Sequence, residues 1–106
     1  MSIDEIDVVQ LEMHLDGGGV LLDVRNPDEF DEAHVPGAVL IPLAELEQRL
    51  AEVPDGEPLA VICRSGARSM VACEMLASLP RTAVNVTGGT LAWMASGRDT
   101  VAGSTA

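Results

Sequence analysis

Four runs of mostly apolar residues, each of strand length, punctuate the chain: Val20 to Val24, Ala38 to Ile41, Pro58 to Ile62 and Ala83 to Val86. None alternates strictly with polar residues, so each reads as a strand buried on both faces. The stretches between them carry helical signals. Asp7-Val8-Val9-Gln10 predicts a capping box that opens a helix running to about Leu15, and Gly17-Gly18-Gly19 ends it. Asn26-Pro27-Asp28-Glu29 places a cap, a proline at the first helical position and a glutamate three residues after the cap, predicting a short helix that ends near His34. Leu43, Leu46 and Leu50, with Glu45, Glu47, Gln48 and Arg49 between them, predict a further helix broken by Pro54-Asp55-Gly56. Met70, Val71, Met75 and Leu76 give helical spacing to the segment from Ala67 to Leu79, which Pro80 closes. Gly88-Gly89 makes a turn before a last short helix, Thr90 to Ser96, carrying Trp93. Parallel neighbours need crossover connections, so strands alternating with helices predict an α/β fold, a doubly wound parallel sheet with helices on both faces. Ligands of such sheets bind beyond the carboxyl ends of the strands.

Composition narrows the picture. The 106 residues suit one domain, expected over residues 1–100, followed by a disordered tail at 101–106. Aromatic residues are 2% of the chain against 47% apolar, so the core is aliphatic. All six basic residues are Arg and the formal charge is −11, which argues against nucleic acid as a partner and reads chiefly as surface solvation. No apolar run approaches the length of a bilayer span and Met1-Ser2-Ile3-Asp4-Glu5 has no secretory character, so no membrane partner and a soluble, cytoplasmic protein with reduced thiols are expected. The two His and two Cys lack metal-ligand spacing, and no metal site is expected.

The chemistry concentrates in Cys63-Arg64-Ser65-Gly66-Ala67-Arg68-Ser69. This segment puts a thiol at the carboxyl end of a buried strand, followed by a tight loop that opens a helix. Loop amides and the positive end of a helix dipole favour an anion at that point, and Gly66 gives the loop its conformational range. Arg64 and Arg68 place a third of the chain's cations beside one sulfur. The net charge opposes a thiolate, but exposed charges are screened over ~8 Å, whereas a charge within ~4 Å is worth ~1 kcal/mol even at the dielectric of water, so the local loop wins. Cys73, by contrast, falls among Met70, Val71, Ala72 and Leu76 in mid-helix and reads as core.

The loop resembles the active-site loop of rhodanese domains, Cys-x-x-Gly-x-Arg followed by Ser or Thr. Asp23-Val24-Arg25-Asn26-Pro27-Asp28-Glu29-Phe30, His34-Val35-Pro36-Gly37-Ala38 and Gly88-Gly89-Thr90-Leu91-Ala92-Trp93 are similar to three further segments of that family, in the same order. Ala33 stands where a Gly often precedes the family's His, and Ala60-Val61-Ile62 lacks the aromatic residue common before the Cys. The resemblance implies a five-stranded parallel sheet and a sulfurtransferase that needs no cofactor. On that pattern the Cys63 thiolate takes the outer sulfur of a small anionic donor such as thiosulfate as a persulfide, then passes it to cyanide, a thiol or a protein acceptor. It further implies that amides from Arg64 through Ser65, Gly66, Ala67 and Arg68 to Ser69 form an anion cradle, with the Arg64 side chain meeting the donor's sulfonate and Arg68 bracing the loop. Asp23 and Arg25 are expected to form a structural charge pair in preference to a catalytic one, His34 to stabilise a turn, and Trp93 to lie in the core.

Two rivals compete with this reading. Phosphatases and arsenate reductases of the same fold carry one residue more than the six from Cys63 through Arg68, and this loop has no adjacent Asp or Glu to act as general acid. A persulfide carrier or docking module is the other rival. A docking role does not require the intact Cys63 loop, whereas a carrier has the same sequence and differs in releasing sulfur slowly to small acceptors.

Overall fold

The computed structural model describes residues 3–103. Its elements run β1 (Glu5–Ile6), α1 (Val8–Asp16), β2 (Val20–Asp23), α2 (Pro27–Glu32), β3 (Val39–Leu40), two 3₁₀ segments (Leu43–Glu45 and Glu47–Glu52), β4 (Leu59–Ile62), α3 (Ala67–Leu76), β5 (Ala83–Val86) and α4 (Gly89–Ala95). The five strands form one parallel sheet in the order β1-β5-β4-β2-β3, as the doubly wound reading requires. β4 is the central strand, and all four of its residues are buried. Its side chains alternate between two cores. Leu59, Val61 and Cys63 pack with Leu22, Leu46, Val53, Ala72 and Leu76 on the face covered by α3 and the 3₁₀ segments. Ala60 and Ile62 pack with Leu11, Phe30, Val84 and Trp93 on the face covered by α1, α2 and α4. Each fully buried aliphatic side chain is worth roughly 1.5–3 kcal/mol, so the strand that leads to Cys63 is firmly anchored on both faces.

The caps follow the sequence. Asp7 accepts from the Gln10 amide at 2.8 Å while the Gln10 side chain accepts from the Asp7 amide at 2.9 Å, and the Glu29 carboxylate accepts from the Asn26 amide at 3.1 Å.

Two helical expectations are corrected, and two further features depend on residues distant in sequence. The segment from Leu43 to Leu50 is not an α-helix: Leu46, Arg49 and Val53 each donate to the carbonyl three residues earlier, and Arg49 leaves helical geometry at φ −117°. Its buried residues are Leu46 and Val53, which join the core on the face covered by α3. The helix expected to reach Leu79 ends at Leu76, after which Ser78 and Leu79 donate in three-residue turns. β1 has no apolar run to announce it. It exists because the edge of β5 pairs with Glu5 and Ile6. At the other terminus Val101, placed in the expected tail, exchanges two 2.9 Å hydrogen bonds with His34, and Gly103 donates to the Asp31 carbonyl at 2.9 Å. The remainder of that tail, 104–106, lies outside the described residues. Among the described residues no helix is long and apolar enough to cross a membrane.

Candidate active site

Cys63 follows the last residue of β4 at the carboxyl end of the sheet, and the chain turns at once into α3. Gly66 makes that turn with φ +114°, a conformation that side chains rarely adopt, and its amide donates to Cys63 Sγ at 3.1 Å. Ser69, buried in the first turn of α3, brings its hydroxyl to 3.3 Å from the same sulfur. The loop's carbonyls are held from behind by α4. The Thr90 amide and hydroxyl reach the Cys63 carbonyl at 2.9 and 3.0 Å, and the Leu91 amide reaches the Arg64 carbonyl at 3.1 Å. This approach needs Gly89, where a Cβ would stand 2.5 Å from the Arg64 oxygen and 2.6 Å from the Cys63 oxygen.

Burial pushes the Cys63 thiol up, but the Ser69 hydroxyl and the amides of Ser69, Gly66 and Ser65 outweigh it, and the thiol lies below its ordinary value. Cys73, buried in α3, has the desolvation without the donors and is pushed up to about 12.

The surrounding charges are ordered in pairs. Arg68 grips Glu29 through two bonds of 2.7 and 2.8 Å, tying α3 to α2, and this pairing holds the Glu29 carboxyl at about 2. Arg25 binds the buried Asp23 carboxylate at 2.8 to 3.1 Å and donates to the Ala33 carbonyl at 2.9 Å, so the pair fixes the end of β2 against α2. Arg49, Arg81 and Arg98 are bound to carboxylates elsewhere. Among the described residues Arg64 is the remaining cation, exposed, with no carboxylate within 4.0 Å. It borders a cleft of about 160 Å³ whose walls include Thr90, Leu91, Met94 and the Arg25 and Glu29 side chains. A cleft of about 270 Å³ lies at the opposite end of the sheet, lined by Gly17, Gly18, Gly19 and Pro58, away from any cysteine.

The residues expected from sequence thus separate by role. Cys63, Gly66 and Ser69 converge on one sulfur, with Ser65 contributing its amide. Ala67 opens α3, Arg68 is turned toward Glu29, and Arg64 faces solvent. His34 is fully buried, stacks on Phe30 at 3.6 Å and donates through Nδ1 to the Phe30 carbonyl, a local structural bond. Trp93 is 5% exposed and donates to the Asp99 carbonyl at 2.7 Å, so it is core. Sequence reasoning missed Asn85, 2% exposed on β5, which donates to the Gly66 carbonyl and accepts from Ser69. The signal was a single polar residue inside the run Ala83-Val84-Asn85-Val86.

A family model described as "Rhodanese-like domain" matches residues 7–96. The chain is 37% identical over 103 residues to a sulfurtransferase of Allochromatium vinosum, covering 94% of this chain and 96% of that protein. It is 36% identical over 95 residues, 87% of its length, to the putative sulfur carrier protein YrkF of Bacillus subtilis, and spans only about half (51%) of that relative. The solved structure of a rhodanese-related protein from Thermoplasma volcanium superposes with a TM-score of 0.86 at 31% identity, covering 92% of this chain and 97% of that one. With the sheet order, the Cys63 loop and these relatives in agreement, the chain belongs to the rhodanese-like domain family.

Proposed function

We propose that the protein is a sulfurtransferase in which Cys63 is the nucleophile and carries the transferred sulfur as a persulfide. The observation that carries this reading is the convergence of the Gly66 amide and the Ser69 hydroxyl on Cys63 Sγ at 3.1 and 3.3 Å, with the thiol held below its ordinary value. A thiolate present without a general base can attack directly. With thiosulfate as donor, the Cys63 thiolate attacks the outer sulfur, a Cys63 sulfur–sulfur bond forms, the donor's own sulfur–sulfur bond breaks, and sulfite leaves with the electron pair. The negative charge then rests on the outer sulfur of the persulfide, within reach of the loop amides from Arg64 to Ser69. Cyanide or a thiolate attacks that sulfur and the Cys63 thiolate is regenerated, a ping-pong cycle that needs no cofactor.

The free guanidinium of Arg64 supports an anionic donor. In a chain of charge −11 where the other five arginines are paired to carboxylates, an exposed unpaired cation next to the nucleophile is the group best suited to receive a sulfonate.

Intact-protein mass after incubation with thiosulfate tests the reading. A gain of one sulfur, removed by cyanide as thiocyanate appears, is the expected result. Loading that cyanide clears only slowly would assign the chain to sulfur carriage, the role that the name of YrkF suggests for that relative. No loading from thiosulfate or from a glutathione persulfide would sink the proposal.

A further inference from the structure

Asn85 occupies the one polar position of β5, with its side chain 2% exposed between the loop and α3. Its Nδ2 group donates to the Gly66 carbonyl at 3.1 Å and to the Glu5 carboxylate of β1 at 3.2 Å. Both partners are acceptors only, which fixes the amide orientation and leaves Oδ1 facing Ser69. The Ser69 hydroxyl is 2.5 Å from that Oδ1 and 3.3 Å from Cys63 Sγ. A serine hydroxyl has one proton and can serve one acceptor at a time. Both contacts lie within hydrogen-bond reach for their acceptors, so Asn85 Oδ1 and Cys63 Sγ compete for that one proton: a thiolate draws it to Sγ, whereas a thiol S–H can donate to Ser69 while the hydroxyl serves Asn85.

We propose that Asn85 is a positioning residue that governs the protonation of Cys63 by competing with its sulfur for the single proton of Ser69. This rests on the reading of Cys63 as the sulfur-carrying nucleophile. In the thiol state the chain of donors runs from Cys63 S–H to Ser69 Oγ and from Ser69 O–H to Asn85 Oδ1. When Cys63 gives its proton to solvent, the Ser69 hydroxyl rotates its hydrogen from Oδ1 to Sγ and no covalent bond of the serine breaks. When the persulfide forms, the charge moves to the outer sulfur, Sγ becomes neutral, and the hydroxyl returns to Asn85. Asn85 therefore holds the Ser69 proton while the sulfur is neutral and yields it when the sulfur is charged, which opposes part of the stabilisation that Ser69 gives the thiolate. The titratable groups around this network are Glu5 of β1, Arg64 of the loop, Arg68 and Cys73 of α3, and Asp23 of β2, which is neutralised by Arg25.

The test is a double-mutant cycle on the full chain with wild type, Asn85→Leu, Ser69→Ala and the double variant, reading the pH dependence of iodoacetamide alkylation at Cys63. All of the charged neighbours stay constant across the four proteins. With Ser69 present, Asn85→Leu is expected to lower the Cys63 pKa by about one unit, a tenfold rise in the ratio of thiolate to thiol. With Ser69 replaced by Ala the same substitution is expected not to lower it. A purely structural role, loss of the Gly66 anchor, moves the pKa upward and equally in both backgrounds. That result, or no change in either, overturns the proposal. If Asn85→Leu prevents folding, Asn85→Ala leaves space for water at the Gly66 carbonyl and is judged by the same coupling. Alkylation requires no sulfur donor, so a failure of sulfur loading and a failure of this cycle are separate results.

Discussion

The two cysteines make the most instructive comparison in the molecule. Cys63 and Cys73 are both buried, both belong to the core on the α3 face, and are ten positions apart in sequence. Desolvation penalises the charged form at both. Cys73 meets it inside a helix whose amides are already spent on the i−4 carbonyls, so nothing offsets the cost. Cys63 meets it at the N-terminal end of the same helix, where amides have no intrahelical partner and turn toward the sulfur. The difference between the two thiols is whether the sulfur meets the open N-terminal end of α3 or lies within the helix, with burial common to both.

Exchanging the roles gives the largest effect. Cys63→Ser is expected to abolish sulfur uptake from thiosulfate, whereas Cys73→Ala keeps uptake within about twofold of wild type, a substitution of a small buried group that does not touch the loop. Intact mass resolves both. Next comes labelling of the native protein. A Cys73 thiol pushed up to about 12 leaves about one thiolate in 10⁵ at pH 7, so iodoacetamide should modify Cys63 at least on the order of 10³ times faster, the difference vanishing in denaturant. The sign with pH follows from the thiolate being the reactive form. Cys63 labelling falls as acid protonates it, and its midpoint lies below the ordinary thiol value of 9.0. Peptide-level mass spectrometry across a pH series reads this.

Removing the backbone geometry behind the contrast should act on stability as well. Gly89→Ala combines φ +57° with a collision against the Cys63 and Arg64 carbonyls, and is expected to cost about 2–4 kcal/mol in urea unfolding while raising the Cys63 pKa. The smallest effect belongs to the brace on the loop. Glu29 is held at about 2 by Arg68, below its ordinary 4.5, so the pair contributes stability above about pH 4.5 that is lost as the pH falls through 2. Both side chains are partly solvated, and Glu29→Gln is therefore expected to cost no more than about 1 kcal/mol at pH 7 and a small fraction of that at pH 2. An unfolding series at the two pH values checks it.

Much of this was legible in the chain because it depends on neighbours in sequence. The capping boxes at Asp7 and Asn26, the all-apolar β4, and the Cys63 loop with its glycine at the turn are local patterns, and each has a local physical cause. The alternation of strand and helix determined a parallel, doubly wound sheet. What required the tertiary structure was every feature created by residues distant in sequence. β1 is a strand only because β5 offers it an edge, and the bridge at Val101 depends on His34. The 3₁₀ path from Leu43 to Glu52 reflects the space that α3 and the sheet leave for Leu46 and Val53. The partners of Arg68 and Ser69 lie 39 and 16 positions away, so no spacing rule reaches them. The sequence by itself determined that Cys63 stands at the tip of a buried strand where a helix starts, since all three are contiguous. Which groups share its protons and charges was decided by packing, because hydrogen bonds and ion pairs depend on distance in space, and the fold alone sets that.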